Sequence, residues 1–188
     1  MADSTLDRAL VRDFVAGGLG PSDEAELADQ VARILPFHMQ LPHPVLGDLI
    51  RVTDHVGGDE KLLTWLASHP GRPRLVARLF EVIALLDDVT ARPAVVTALR
   101  ELREREKYPE GLERVMPPAT DDSTLASVSW QIESRLADGR DDEAFRIAVA
   151  SVDLLRRLAP RAVELDDDLR EFDDALERTR QDLVGVSP

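Results

Sequence analysis

Apolar residues recur at intervals of three and four along most of the chain, the spacing that places them on one face of an α-helix. Leu10, Val11 and Phe14 show this spacing near the start. We predict that a first helix begins after Asp3 or Ser4, because either side chain can accept hydrogen bonds from the free amides of a helix start.

The second and third predicted helices are separated by a segment rich in proline. We predict that Ser22 caps the second helix and that Pro36 ends it. Residues 36–44 contain three prolines, which predicts a loop. Pro44 fits the first turn of a third helix that reaches about Val56, because a helix start tolerates proline.

Glycines and prolines also divide the next stretch into helices. The pair Gly57–Gly58 ends the third helix, and Asp59 is predicted to cap the fourth. After a break at residues 70–73, a fifth helix over roughly residues 74–88 is apolar on most sides, so we expect it to be the most buried. A sixth helix is predicted to begin after Thr90.

The pattern predicts an all-α protein in two parts. Three prolines and a glycine lie between residues 108 and 118, and this composition is typical of a linker. We therefore divide the chain into a helical bundle at residues 1–107, a linker at residues 108–122 and a helical hairpin at residues 123–188.

The second helix of the predicted hairpin carries the longest regular pattern in the chain. It extends from residue 141 to about residue 184, and Pro160 would kink or divide it. Its apolar seam has heptad spacing, which is typical of a helix that packs along a partner helix. The seam consists of Ala148, Ser151, Leu155, Leu158, Ala162, Leu165, Leu169, Phe172, Leu176, Thr179 and Leu183.

The helix predicted at residues 123–137 is too short to cover this seam. The excess must fold back on the N-terminal bundle or pair with another chain, which includes self-association through the C-terminal helix. The candidate partner-binding residues are Leu165, Leu169, Phe172 and Leu176.

Composition narrows the function classes. Aromatic residues make up 4% of the chain, which suits a core of aliphatic side chains between helices. Cysteine is absent, so neither disulfides nor thiolate chemistry is available. The longest apolar run, residues 82–86, is too short for a membrane span, and the first residues do not resemble a signal peptide. We expect a cytoplasmic protein with no membrane contact.

The net charge of −13 is concentrated at the two ends of the chain. Residues 1–60 hold 11 acidic and 4 basic residues, and residues 121–188 hold 17 acidic and 9 basic residues. Residues 61–120 hold 8 acidic and 10 basic residues. Because an acidic surface repels a phosphate backbone, we expect no nucleic-acid partner.

Histidine pairs are the first candidates for chemistry. His38 and His43 share the proline-rich segment and could approach one metal ion, but their spacing matches no zinc pattern. Asp54 and His55 are adjacent, and adjacent helix positions point in different directions. We interpret these histidines as exposed or structural.

The remaining motifs indicate no cofactor. Gly18-Leu19-Gly20 lacks the third glycine and the preceding strand of a dinucleotide loop. The acidic runs at residues 166–168 and 173–174 lack the glycine and alternation of a calcium loop, so a solvated helix face explains them better. We expect no catalytic, metal-binding or cofactor-binding residues.

Two arginine-rich stretches remain as candidate docking surfaces. Arg72, Arg74 and Arg78 could line a groove for a phosphorylated or acidic ligand, or could balance the acidic ends within the fold. The mixed charges over residues 101–107 indicate either surface ion pairs or a docking surface.

From Leu10 to Leu86 the order of helices and breaks resembles the small effector-associated domains of bacterial conflict and signalling proteins, which are similar to death-domain adaptors. The points of resemblance are Leu35-Pro36, Leu41-Pro42, Leu49-Ile50, Gly57-Gly58, Leu62-Leu63, Leu66, Leu75-Val76 and Val82-Ile83. The resemblance implies a helical module that joins effectors to sensors by homotypic contact, and it assigns no site residues.

Three function hypotheses follow. The first is a non-catalytic adaptor or regulatory protein that binds another protein through helical surfaces. The second is an acidic inhibitor or immunity-type protein that neutralises a basic partner. The third is a helical protein that binds a small molecule or metal between its helices, with His38 or His43 involved.

Overall fold

The computed structural model describes residues 5–90, 124–158, 170, 174–175 and 177–181. Every regular element in these residues is a helix, which confirms the all-α class. The helices are α1 (Arg8–Val15), α2 (Pro21–Ile34), a 3₁₀ helix (Leu35–Gln40), α3 (His43–Val56), α4 (Asp59–Ala67), α5 (Arg72–Thr90), α6 (Thr124–Ala137) and α7 (Asp141–Leu158).

The chain forms two compact units. The first comprises Met1–Arg78 with Asp182–Pro188, and the second comprises Leu79–Gln181, so α5 contributes to both. The predicted linker at residues 108–122 and the predicted sixth helix lie outside the described residues. The linker therefore stays a prediction.

The start of α1 differs from the prediction. Asp7, rather than Asp3 or Ser4, is the capping residue, and its carboxylate accepts a 2.7 Å hydrogen bond from the Ala9 amide. Leu6 precedes the helix and is buried, as is Val11. This arrangement resembles a hydrophobic staple, in which apolar residues on either side of the cap fix the path into the helix.

Two glycines, Gly17 and Gly18, form the end of α1. Gly17 adopts a left-handed φ of 72°, and the amide of Gly18 donates a 2.8 Å hydrogen bond to the carbonyl of Asp13. These two features are those of a Schellman ending, which satisfies a carbonyl that the helix leaves free.

The predicted caps of α2 and α4 are each displaced. Gly20 occupies the cap position of α2 and Pro21 follows as its first residue, so Ser22 lies inside the helix. Proline is suited to that position because its φ is already helical and its missing amide hydrogen is not needed there. In α4 the cap is Gly58, and Asp59 is the first helical residue, where its charge favours the positive helix end.

The fifth helix is deeply buried, as predicted. It extends from Arg72 to Thr90, slightly beyond the expected bounds at both ends. Its buried apolar residues occupy several sides of the helix, and α5 thus supplies core to both units. They are Leu75, Val76, Ala77, Leu79, Val82, Ile83 and Leu86.

In the second unit, α6 and α7 contact each other across a short turn. Gly139 takes a left-handed φ of 70° in this turn. Beside it, Arg140 donates bonds of 2.5 and 2.6 Å to Glu143, and Arg135 approaches the same carboxylate at 3.2 Å. The hydrogen bond from Arg140, followed by the charges of both guanidinium groups, lowers the pKa of Glu143.

Part of the heptad seam is described, and there it is buried within the chain. Ala148, Ser151 and Thr179 are each at most 1% exposed. Arg178 lies 3.1 Å from the Glu81 carboxylate of α5, so this C-terminal helical turn is attached to the second unit. At these positions the seam forms internal core.

The Asp7 cap gives a direct test of the fold. We expect Asp7→Ala to lower the free energy of unfolding by about 1 kcal/mol, because the amide of Ala9 loses its acceptor. The matched control is Ser22→Ala, which should change it by less than about 0.5 kcal/mol, since Ser22 makes no cap bond. Urea unfolding followed by circular dichroism measures both. A larger loss for Ser22→Ala would contradict the observed caps.

Candidate functional site

The segment between α2 and α3 is a short helix rather than the predicted loop. Leu35–Gln40 forms a 3₁₀ helix with Pro36 in its first turn. Proline suits this place because the first turn needs no amide donor. The chain then becomes extended at Leu41 and Pro42 before α3 begins. The prolines thus give the connection a defined backbone path.

One end of the 3₁₀ helix is tied to α2. Ile34, the last residue of α2, is 1% exposed and anchors the connection in the core. The His38 ring nitrogen Nδ1 lies 3.0 Å from the Leu35 carbonyl, and because a carbonyl oxygen only accepts, Nδ1 carries the hydrogen. His38 therefore acts here as a local brace.

The 3₁₀ helix holds apolar side chains that the fold does not bury. None of its six residues is buried, and the Met39 side chain is 86% exposed. Leu35, Phe37 and Leu41 are only half-buried. We call these four residues the 3₁₀ surface: Leu35, Phe37, Met39 and Leu41.

Elsewhere in the first unit, four aromatic and imidazole rings contact one another in sequence. The Phe14 ring lies 4.9 Å from that of His55 and 5.1 Å from that of Trp65. The Trp65 ring in turn lies 4.9 Å from that of His69, with a T-shaped arrangement. These contacts join α1, α3 and α4, and edge-to-face pairs are a favoured ring geometry.

Glu24 in the first turn of α2 completes this ring chain. Its Oε1 accepts a 2.8 Å hydrogen bond from the indole Nε1 of Trp65 and lies 3.8 Å from Nε2 of His69. His69 Nδ1 donates to the Trp65 carbonyl at 2.8 Å, which fixes the ring so that Nε2 faces the carboxylate. We call Glu24, Trp65 and His69 the polar brace, because they attach α4 to the start of α2.

The histidines therefore have different roles. His38 and His43 are exposed, whereas His69 is 9% exposed and belongs to the polar brace. His55 packs its ring on Phe14. Among the residues that the structure describes, no group of three or more histidine or acidic side chains is placed to hold a metal ion.

The predicted basic groove is made of residues that have partners within the chain. Arg74 donates a 3.1 Å hydrogen bond to the carbonyl of Ala67, which ties the start of α5 to the end of α4. Arg72 and Arg78 are half-buried and also interact within the protein. This partner of Arg74 is a backbone carbonyl, so both the acidic-ligand groove and the balancing of the acidic ends stay predictions.

The candidate partner-binding residues Leu165, Leu169, Phe172 and Leu176 all lie outside the described residues. Their assignment stays a prediction.

Three features were missed in the sequence. Trp130 of α6 is 61% exposed in the second unit. A cleft of about 410 Å³ lies beside the start of α1, with Asp7, Gln30 and Arg33 among its lining residues. Asp48 is buried and meets two arginines. Only the structure could reveal them, because each depends on which helix face the core covers.

The amino-acid sequence partly indicates the 3₁₀ surface. The stretch from Leu35 to Leu41 is apolar at alternate positions, yet its prolines exclude a long amphipathic helix. Apolar residues in a segment that cannot join a regular core face are candidates for exposure.

Comparison with known proteins adds no assignment. The chain matches no known protein family, and neither a characterised protein nor a solved structure is significantly similar to it. The chain's own residues are therefore the basis for inferring its function.

The polar brace predicts the effect of one substitution on stability. Glu24→Ala should lower the free energy of unfolding by about 1–3 kcal/mol, because the half-buried Trp65 indole loses its acceptor. Urea unfolding read by Trp65 emission measures it, in a Trp130→Phe background because the chain holds two tryptophans.

The matched control is Asp23→Ala, which removes an exposed acid from the same helix turn without touching the polar brace. Asp23→Ala should lower the free energy of unfolding by at most about 1 kcal/mol, because it removes only the favourable interaction of the acid with the helix dipole. Equal losses for the two variants would show that Trp65 gains nothing from Glu24.

Proposed function

We propose that this chain is a non-catalytic protein-interaction module, an adaptor or regulatory protein, and that the 3₁₀ surface is one of its contact sites. The observation that carries the proposal is the 86% exposure of Met39 in a helix with no buried residue. Phe37 and Leu41, two residues to either side of Met39, are half-buried, so the fold does not fully cover them either.

The chemistry of these side chains suits a protein partner. Methionine and aromatic residues are enriched at the centres of protein interfaces, and methionine adapts its shape to its neighbours. A partner that covered Met39 and Phe37 would remove apolar area from water, which is the main favourable term in association.

The support beneath the 3₁₀ surface favours binding without large rearrangement. Pro36 and Pro42 restrict the backbone on both sides of Met39, and His38 braces the first turn. A surface that is ordered before binding loses less conformational entropy when the partner arrives. The first unit can thus present Met39 in a defined position.

The predicted seam contact belongs to the same proposal. Leu165, Leu169, Phe172 and Leu176 would form a second contact, through which the chain could self-associate. The resemblance to death-domain-like adaptors of bacterial conflict and signalling systems suggests the same class of function, in which modules join by homotypic contact.

The alternative is an acidic inhibitor that neutralises a basic partner. The net charge of −13 favours this function, because opposite charge speeds and orients association. The two functions differ in their response to salt. Contact through the 3₁₀ surface should persist at high salt, whereas contact through exposed charge should weaken steeply.

Site-specific photo-crosslinking in the producing cell tests the proposal. A photoreactive amino acid at position 39 should yield a discrete crosslinked protein, because Met39 would lie at the centre of the contact. The same group at Glu60, an exposed position on α4, is the matched control. Equal crosslinking at both positions, or none at position 39, would reject the 3₁₀ surface as a contact site.

A pair of substitutions measures the energetic contribution of Met39. Met39→Asp should weaken binding of the crosslinked partner at least tenfold, because a charge would be buried in an apolar contact. Gln40→Asp adds the same charge one residue along the same exposed helix and should change affinity much less.

Isothermal titration calorimetry with the purified partner measures the dissociation constant of each variant, at low and at high salt. If both variants weaken binding equally and only at low salt, net charge rather than Met39 determines affinity, and the acidic-inhibitor function takes precedence.

A further inference from the structure

Asp48 of α3 is a buried carboxylate that meets an arginine on each of its oxygens. Its side chain is 9% exposed. Arg8 Nε of α1 lies 3.3 Å from Oδ2, and Arg51 Nη1 of α3 lies 3.4 Å from Oδ1. A carboxylate buried to this degree requires a charged partner, and one guanidinium would neutralise it.

Counted over Arg8, Asp48 and Arg51 alone, the three side chains carry one net positive charge. Both arginine side chains remain 72% exposed, although each touches a buried group. The described contacts use Nε of Arg8 and one Nη of Arg51, so each guanidinium keeps donors that face outward. We call Arg8 and Arg51 the arginine pair.

The buried carboxylate positions the arginine pair across two helices. A free arginine side chain on a surface samples many rotamers, and fixing it costs free energy when a ligand binds. Asp48 holds part of each guanidinium in place before any ligand arrives. The arrangement therefore differs from an ordinary surface ion pair, such as Arg12 with its neighbour Asp13 on α1.

We propose that the arginine pair receives a carboxylate from an acidic segment of a protein partner. Two guanidinium groups offer several N–H donors in planar arrays, and such arrays match a carboxylate. This inference rests on the proposed function only in that the acidic segment belongs to a protein partner.

The charge of the site favours a carboxylate over a phosphate group. One carboxylate neutralises the excess positive charge that Asp48 leaves on the arginine pair. A dianionic phosphate would bring a second negative charge close to the buried Asp48 carboxylate, and like charges at short range repel.

The experiment titrates the full-length protein with a short, blocked glutamate peptide and, separately, with inorganic phosphate. Two-dimensional ¹H–¹⁵N NMR follows the arginine Nε–Hε signals. The peptide should move the Arg8 and Arg51 signals along one saturable curve, and phosphate should bind more weakly. If phosphate binds as tightly as the peptide or tighter, the charge-matching argument is wrong.

Arg8→Gln should weaken peptide binding about tenfold, because a charge-assisted hydrogen bond is lost while one arginine still neutralises Asp48. The matched control is Arg12→Gln, one turn along α1, where the arginine is 74% exposed and pairs with Asp13. It should leave the affinity for the peptide within twofold. Circular dichroism confirms that each variant is folded.

Equal loss in the two variants would show that the peptide responds to general charge, and it would overturn the proposal. A loss confined to Arg8→Gln would support it. Crosslinking at position 39 is unaffected by either outcome, so failure here is separate from failure of the 3₁₀ surface.

Discussion

The hydrogen bond from the half-buried Trp65 indole to Glu24 is a polar contact between two helices beside the aliphatic core of the first unit. It joins α4 to the first turn of α2, and the rings of Phe14, His55 and His69 extend the same contacts to α1 and α3. Aromatic residues form only 4% of the chain, so this unit relies on few rings. Because Phe14 and Trp65 each contact residues of more than one other helix, loss of one polar acceptor should be felt across the unit.

The 3₁₀ helix contributes none of its residues to the buried core. The ring contacts join α1, α3 and α4, the hydrogen bond from Trp65 to Glu24 adds α2, and the last residue of α2, Ile34, is buried. The prolines on either side prevent Leu35–Gln40 from continuing α2 or joining α3. Met39 and its neighbours therefore remain on the surface, where the first unit presents them from a supported backbone.

Much of the fold was predictable, and the reasons for the errors are local. The period of apolar residues predicted the seven described α-helices but not the 3₁₀ helix Leu35–Gln40, because only a longer buried face imposes that spacing. Caps at Ser22 and Asp59 were wrong by one or two residues, since Gly20 and Gly58 could take the same place. Of the candidate sites, the exposed Met39 was only partly indicated by its proline-rich segment, and the pairing of Asp48 with Arg8 could not be predicted, because it depends on how helices distant in sequence meet.

The central claim is that the 3₁₀ surface is open in the free chain and covered in the complex. Oxidation of Met39 by hydrogen peroxide tests it directly, with the rate read by mass spectrometry against a methionine-containing reference peptide in the same tube. We expect Met39 to oxidise as fast as the reference in the purified chain and several-fold more slowly with its crosslinked partner present. Slow oxidation in the free chain, or the same rate with and without the partner, would contradict the account.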